Sequence, residues 1–337
     1  MTDSEGRHDP NVLWSRGEHH SIILSGKQAP RRACSRGCVR IAGGFRTKLR
    51  TRKRAKGSSK LRSRKASPQP HPEGDISLWT EALFGAEVLL LHATPVYYGF
   101  GVPHGDGSGV VLIPGFLGTD LYLNELHAWL ERIGYRAYFS GIGINADCPN
   151  ILIQRRVNET IERALNETGR KIHLLGHSLG GVIARSIAGA RPKDIASVIT
   201  LVSPIRGTVA NRAVIHAADA VRLRILQEHG DGVLPRCYTG RCTCNFIDSL
   251  RREVPHAMLQ TAVYSRYDGI VDWRYCMTKN PGSDFEVPGT HIGMAFNPAA
   301  YSIVAERLAL ARASKLRRRP RAQRPTISST APVAVSN

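Results

Sequence analysis

The sequence contains no run of about 18 uninterrupted apolar residues, the length at which a helix is read as crossing a membrane. The nearest approach, residues 78–100, is broken by Glu81, Glu87 and His92. A helical membrane span is therefore not expected. A leader is not expected either, because Arg31-Arg32 is followed by Ala33-Cys34-Ser35-Arg36 with no hydrophobic region behind it, and this favours a cytoplasmic location over export. Acidic residues are also scarce, with 27 Asp+Glu against 47 Lys+Arg and a formal net charge of +20. That excess resembles a nucleic-acid signature until it is divided along the chain. Residues 1–75 hold 18 basic and 6 acidic residues, residues 312–337 hold 7 and none, and the stretch between them holds 22 and 21. The basicity belongs to the two ends, so a field from net charge does not explain what the middle binds.

Metal-binding spacing is missing as well. Of the seven cysteines, Cys237, Cys242 and Cys244 cluster in a pattern that fits no structural zinc site, and no metal or organic cofactor is expected. Residues 1–75, with Arg52-Lys53-Arg54 and Arg62-Ser63-Arg64-Lys65, have too few periodic apolar residues to offset the entropy of ordering. They are expected to be a disordered basic arm, and residues 312–337 a disordered basic tail. Attachment to nucleic acid or to an anionic surface is the role such arms would serve.

The intervening residues, 76–311, carry the pattern of a folded domain. Leu78, Trp79, Ala82, Leu83, Ala86, Leu89 and Leu90 follow a helical period and predict a helix packed on the core. Val110-Val111-Leu112-Ile113 is an apolar run of the kind found in strands buried on both faces. A helix is expected over 121–133, strands over 135–140, 196–202, 261–266 and 284–287, and helices over 151–168 and 298–310. Residues 209–258 interrupt the alternation with helical stretches near 211–228 and 247–253. The alternation implies an α/β fold with a mainly parallel sheet, helices on both faces and a small helical lid insertion. Reacting residues then belong at the carboxyl ends of the strands.

One such end is the stretch 171–184, where an apolar run meets Gly176-His177-Ser178-Leu179-Gly180 and then an apolar helix. A bare Gly-x-Ser-x-Gly arises by chance roughly 0.2 times in a chain of this composition, so its placement between strand and helix is what gives it weight. A serine hydroxyl needs a base within hydrogen-bond reach and an acid to orient that base. His291, in a turn before the last helix, stands where the base belongs, and Asp268 past the strand 261–266 is the acid, with Asp272 the alternative. His177, His173 and His127 read as structural, and His216, His229 and His256 fall in the inserted region. Backbone N–H groups of Phe116, after Pro114-Gly115, and of Leu179 at the helix start are the expected oxyanion donors.

With Ile113-Pro114-Gly115-Phe116, Gly176-His177-Ser178-Leu179-Gly180-Gly181, Ser203-Pro204-Ile205-Arg206-Gly207-Thr208, Asp268-Gly269-Ile270-Val271 and Gly289-Thr290-His291 in view, residues of about 106–310 resemble the α/β-hydrolases, and among them bacterial lipases and esterases. The resemblance implies a nucleophilic Ser178, base His291, acid Asp268, oxyanion donors Phe116 and Leu179, and a small-molecule ester or lipid substrate. It also implies a lid across 209–258, where Val209, Val214, Ile215, Val221, Leu223, Ile225 and Leu226 would suit acyl chains. Two other readings stay open at this point. The same triad serves acyltransferases, thioesterases and amidases, and a hydrolase fold without catalysis would make the chain a binding protein held by its basic ends.

Overall fold

The computed structural model describes residues 78–230 and 243–311. The expectations for the basic arm and tail, and for Cys237 and Cys242, lie outside the described residues. The described chain begins with a 3-10 segment, Leu78–Leu83, that runs into α1 (Phe84–His92). β1 (Gly109–Ile113), α2 (Asn124–Arg132) and β2 (Arg136–Phe139) follow. Next come α3 (Pro149–Leu152), a π turn, α4 (Asn158–Thr168), β3 (Ile172–His177), α5 (Leu179–Ala190) and β4 (Ile195–Leu201). α6 (Arg212–His229), α7 (Asn245–Arg251), β5 (Leu259–Tyr264), β6 (Asp284–Glu286) and α8 (Pro298–Ala311) complete it.

The six strands form one parallel sheet in the order β2-β1-β3-β4-β5-β6. Side-chain alternation along the strands divides the core in two. Val111, Ile113 and Leu174 face α4, α5 and α7, while Val110, Leu112 and Leu175 face α2 and α8. The order reverses at β1, whose neighbours are β2 on one side and β3 on the other. A crevice at the carboxyl ends of β1 and β3 follows from that reversal, and it is where such sheets hold ligands.

Two expectations need correction, and a third gains detail. The apolar stripe predicted to bury the first helix faces outward instead: Trp79 is 86% exposed, Leu89 72% and Leu83 61%, whereas Glu81 is buried. Of its leucines only Leu91 enters the core, and Glu81 is buried rather than left in water. Within 209–258 the two described helices have different settings. α7 packs Phe246, Ile247 and Leu250 into the core beneath α5, and Ser186 Oγ donates to the Phe246 carbonyl at 2.7 Å. α6 lines the crevice with Ala213, Val214, Ile215, Ala217 and Ala218, and Phe246 and Ile247 of α7 reach the same space. Finally, β5 ends at Tyr264, so Asp268 stands four residues beyond it. Ser265 lies just beyond the ladder, and its hydroxyl donates to the Gly289 carbonyl at 2.5 Å.

Candidate active site

Ser178 sits between β3 and α5 with φ 52° and ψ −125°, a left-handed conformation strained for a residue with a Cβ. The turn closes only because its flanks are glycine: a Cβ on Gly176 would overlap the Gly180 carbonyl, and one on Gly180 the Ile113 carbonyl of β1. The reversal presents Ser178 to a cavity of about 580 Å³. Phe116, Leu179 and His291 line the same cavity, as do Val214, Ile215, Ala217 and Ala218 of α6. Of the apolar lid residues expected to meet acyl chains, Val214 and Ile215 reach it. Ile225 is buried against Cys148 with Val221 and Leu226 packed beside it, and Leu223 is exposed.

His291 Nδ1 and Asp268 Oδ2 are 2.7 Å apart, with both side chains almost fully buried. An ionised carboxylate only accepts, so Nδ1 carries the proton and Nε2 is left for chemistry. The other carboxylate oxygen, Oδ1, accepts the N–H groups of Ile270 and Val271 at 2.8 Å each, which fixes its aim. Asp272 is placed elsewhere: it caps the short 3-10 turn Trp273–Tyr275 through Arg274 N–H and pairs with the Arg274 guanidinium. Ser178 and His291 make no hydrogen bond to each other. Contacts of this kind tighten when a reacting group lies between the two.

The loop before Phe116 is pinned by a residue that sequence reasoning left as plain loop. Asn145, fully buried, donates from Nδ2 to the Pro114 carbonyl at 2.7 Å, accepts Leu117 N–H at 2.9 Å and donates its own N–H to Gly118 at 2.9 Å. Arg206, in the Pro204–Gly207 element, donates to the carbonyls of Met277 and Arg274 and so braces the segment beyond the acid.

The base loop is held just as closely. The N–H groups of His291 and Ile292 donate to Glu81 at 2.9 and 2.7 Å, and the N–H of Thr290 donates to Glu87 at 3.0 Å. The His291 carbonyl accepts from His177 Nε2 at 2.8 Å, and the Ile292 carbonyl accepts from the Tyr122 hydroxyl. Burial, reinforced by the Glu81 and Glu87 carboxylates, pushes the Tyr122 phenol up, so it stays a donor. Burial pushes His177 down to about 3, helped by the nearby His291. Glu81, Glu87, Tyr122 and Asn145 went unread in the sequence.

A second serine–histidine arrangement has a different character. His173 joins Ser197 Oγ at 2.7 Å and Ser108 Oγ at 3.1 Å, but all three are fully buried, at or near the amino ends of their strands. None of them lines the cavity. Burial holds His173 at about 4, and the network satisfies polar groups inside the sheet.

With the geometry described, comparison with known proteins adds independent observations. A family model described as the PGAP1-like alpha/beta domain matches residues 151–222, the stretch that contains the Ser178 turn. The parallel sheet and its strand–Ser178–helix turn are similar to those of α/β-hydrolases, and the sequence likeness is to triacylglycerol lipases. A triacylglycerol lipase of Burkholderia plantarii is 29% identical over 134 residues, 37% of this chain and 37% of that protein. A triacylglycerol lipase of Pseudarthrobacter phenanthrenivorans is 31% identical over 107 residues, 29% of this chain and 34% of that protein. The chain thus matches little more than a third of these relatives' length. Among solved structures, a putative lipase of Acinetobacter baumannii covers 67% of this chain and 94% of its own at 15% identity and a TM-score of 0.39. A putative aryl esterase of Burkholderia cenocepacia covers 62% and 93% at 18% identity and a TM-score of 0.39. No described helix is long and apolar enough to cross a membrane.

Proposed function

We propose that this chain is an α/β-hydrolase that cleaves carboxylic esters through an acyl-enzyme. The observation that carries the reading is the buried Asp268–His291 pair, 2.7 Å apart, opening onto the cavity that holds the strained Ser178. In this scheme His291 Nε2 takes the proton of the Ser178 hydroxyl as Oγ attacks the ester carbonyl. The oxyanion forms beside the N–H groups of Phe116 and Leu179, and collapse expels the alcohol, which receives the proton from His291. Water, activated by the same imidazole, then releases the acid. Asp268 holds the ring and stabilises the imidazolium.

Two features support an ester with an apolar acyl part. The cavity wall from α6 is built of Ala213, Val214, Ile215, Ala217 and Ala218, and the residues between the basic ends are nearly neutral overall, so no field favours a polyanion. The similarity to two triacylglycerol lipases points the same way. The test is covalent labelling by a fluorophosphonate together with turnover of p-nitrophenyl esters of graded chain length. Labelling that disappears in Ser178→Ala is expected. A label that survives the substitution, or none at all in the parent chain, overturns the reading.

A further inference from the structure

A helix at a protein surface ordinarily buries an apolar stripe and leaves its charges in water. In residues 78–92 Leu91 reaches the core, but Trp79, Leu83 and Leu89 point to solvent, while Glu81 is 7% exposed and Glu87 is half-buried. Burying a carboxylate is unfavourable unless hydrogen bonds compensate. Here every compensating donor comes from two loops, and they are the loops that carry Asp268 and His291. Glu81 Oε1 accepts Gly269 N–H at 2.8 Å, immediately after the acid, and His291 N–H at 2.9 Å. Its Oε2 accepts Ile292 N–H at 2.7 Å. Glu87 accepts both the N–H of Thr290 at 3.0 Å and its hydroxyl at 2.6 Å.

The loop is shaped to admit these carboxylates. A Cβ on Gly289 would come within 2.6 Å of Glu87 Oε1, and one on Gly293 would overlap Glu87 Oε2, so the glycines on both sides of Thr290-His291-Ile292 leave room for Glu87. Neither glutamate lines the cavity. One carboxylate therefore bridges loops that the chain separates by more than twenty residues.

We propose that Glu81 is a positioning residue for the hydrolase reaction, a carboxylate supplied from outside the sheet that clamps the acid loop to the base loop, with Glu87 holding the same base loop at Thr290. The proposal rests on the Ser178 reading for its kinetic test but not for its spectroscopic one. In Glu81→Gln the side chain keeps its shape and one acceptor oxygen, while its NH2 faces at least one backbone N–H that needs an acceptor. The loops then part slightly, and misplacement on that scale costs on the order of 10- to 100-fold in kcat, with KM unchanged because the cavity wall is untouched.

The experiment uses the full chain and measures p-nitrophenyl butyrate turnover per active site, titrated with a fluorophosphonate, in Glu81→Gln, Glu81→Ala, Glu87→Gln and Trp79→Ser. Glu81→Gln is expected to lose kcat alone, Glu81→Ala to lose more, Glu87→Gln to lose several-fold, and Trp79→Ser to match the parent. Proton NMR of the His291 Nδ1–H, recognisable by its absence in His291→Gln, gives a readout independent of turnover. It is expected to be sharp in the parent and exchange-broadened in Glu81→Gln. A kcat per titrated site within twofold of the parent in both glutamine variants, or an unchanged Nδ1–H signal, overturns the proposal. So does a loss confined to the number of titratable sites, because the glutamates would then serve folding alone. If the parent neither labels nor turns over, the Ser178 reading fails and the NMR comparison still decides the clamp.

Discussion

His177 Nε2–H donates to the carbonyl of His291 at 2.8 Å, so the residue beside the elbow serine is fastened to the base loop from within the core. A carbonyl cannot donate, which fixes the His177 tautomer, and its buried Nδ1 has no hydrogen-bond partner. Protonation would place a charge on that nitrogen with nothing to receive its proton. Burial first, and then the neighbouring His291, hold its pKa at about 3.

The first prediction follows from His177 together with His173, held at about 4. Both pKa values lie below the ordinary value of 6.5, so the unfolded chain binds protons that the folded chain refuses. Their stability contribution is complete above pH 6.5 and is lost as pH falls through the interval down to about 4 and 3, by up to about 1.4 kcal/mol per pH unit for each histidine. Urea unfolding from pH 7 to pH 4.5 is expected to show stability falling steeply with acid. His173→Asn should flatten that slope by about one proton. An identical slope in the variant would mean that His173 is protonated in the folded state.

The second prediction separates the two aspartates. Asp268→Asn removes the acceptor for His291 Nδ1–H and permits the wrong tautomer, a loss of about 10⁴ in kcat where such triads have been dissected. Asp272→Asn weakens a turn and an exposed ion pair with Arg274, and turnover is expected to stay within a few-fold of the parent. Steady-state kinetics on both variants decide the assignment, and the reverse ranking would move the acid to Asp272.

The third prediction concerns Asn145. Asn145→Ala takes the donor from the buried Pro114 carbonyl, at a cost of about 1–3 kcal/mol, and frees the loop that carries the Phe116 N–H. Denaturant unfolding should report that loss. If Phe116 is an oxyanion donor, kcat falls on the order of 10-fold or more with KM little changed. Stability loss with unaltered kcat would remove Phe116 from the site.

What the sequence revealed and what it hid divide along a physical line. Val110–Ile113 and the run before Ser178 are continuous apolar segments, and such segments announce buried parallel strands locally. Ser178, Asp268 and His291 were legible because each follows a strand in a turn. Glu81, by contrast, meets Gly269 and His291 across 188 and 210 residues of chain, and no local pattern marks so distant a partner. Its periodic leucines suggested a buried stripe, and only the long-range hydrogen bonds reveal that the helix is turned the other way. α7 was ambiguous for a related reason: Phe246, Ile247 and Leu250 form an apolar face that suits a lid or a core equally, and its contact with α5 and with the cavity is not written in local sequence.

The last prediction tests how the cavity selects its ester. Ala217 and Ala218 of α6 line it beside Val214, and small side chains leave room that a larger one would fill. A phenyl group at position 218 occupies space otherwise available to an acyl chain, while Ser178, His291 and Asp268 keep their supports in β3, the Glu81 clamp and the Ile270–Val271 turn. For Ala218→Phe, kcat/KM on long-chain p-nitrophenyl esters is expected to fall on the order of 10- to 200-fold, the range that a few methylenes in an apolar pocket command, while butyrate is turned over near the parent rate. The loss should lie in kcat/KM and grow with each added pair of methylenes until the chain outruns the cavity. A uniform loss across all chain lengths would instead indicate that α6 covers the reacting atoms and not the acyl chain, and the acyl path would then have to follow Phe246 and Ile247 of α7, which line the same cavity.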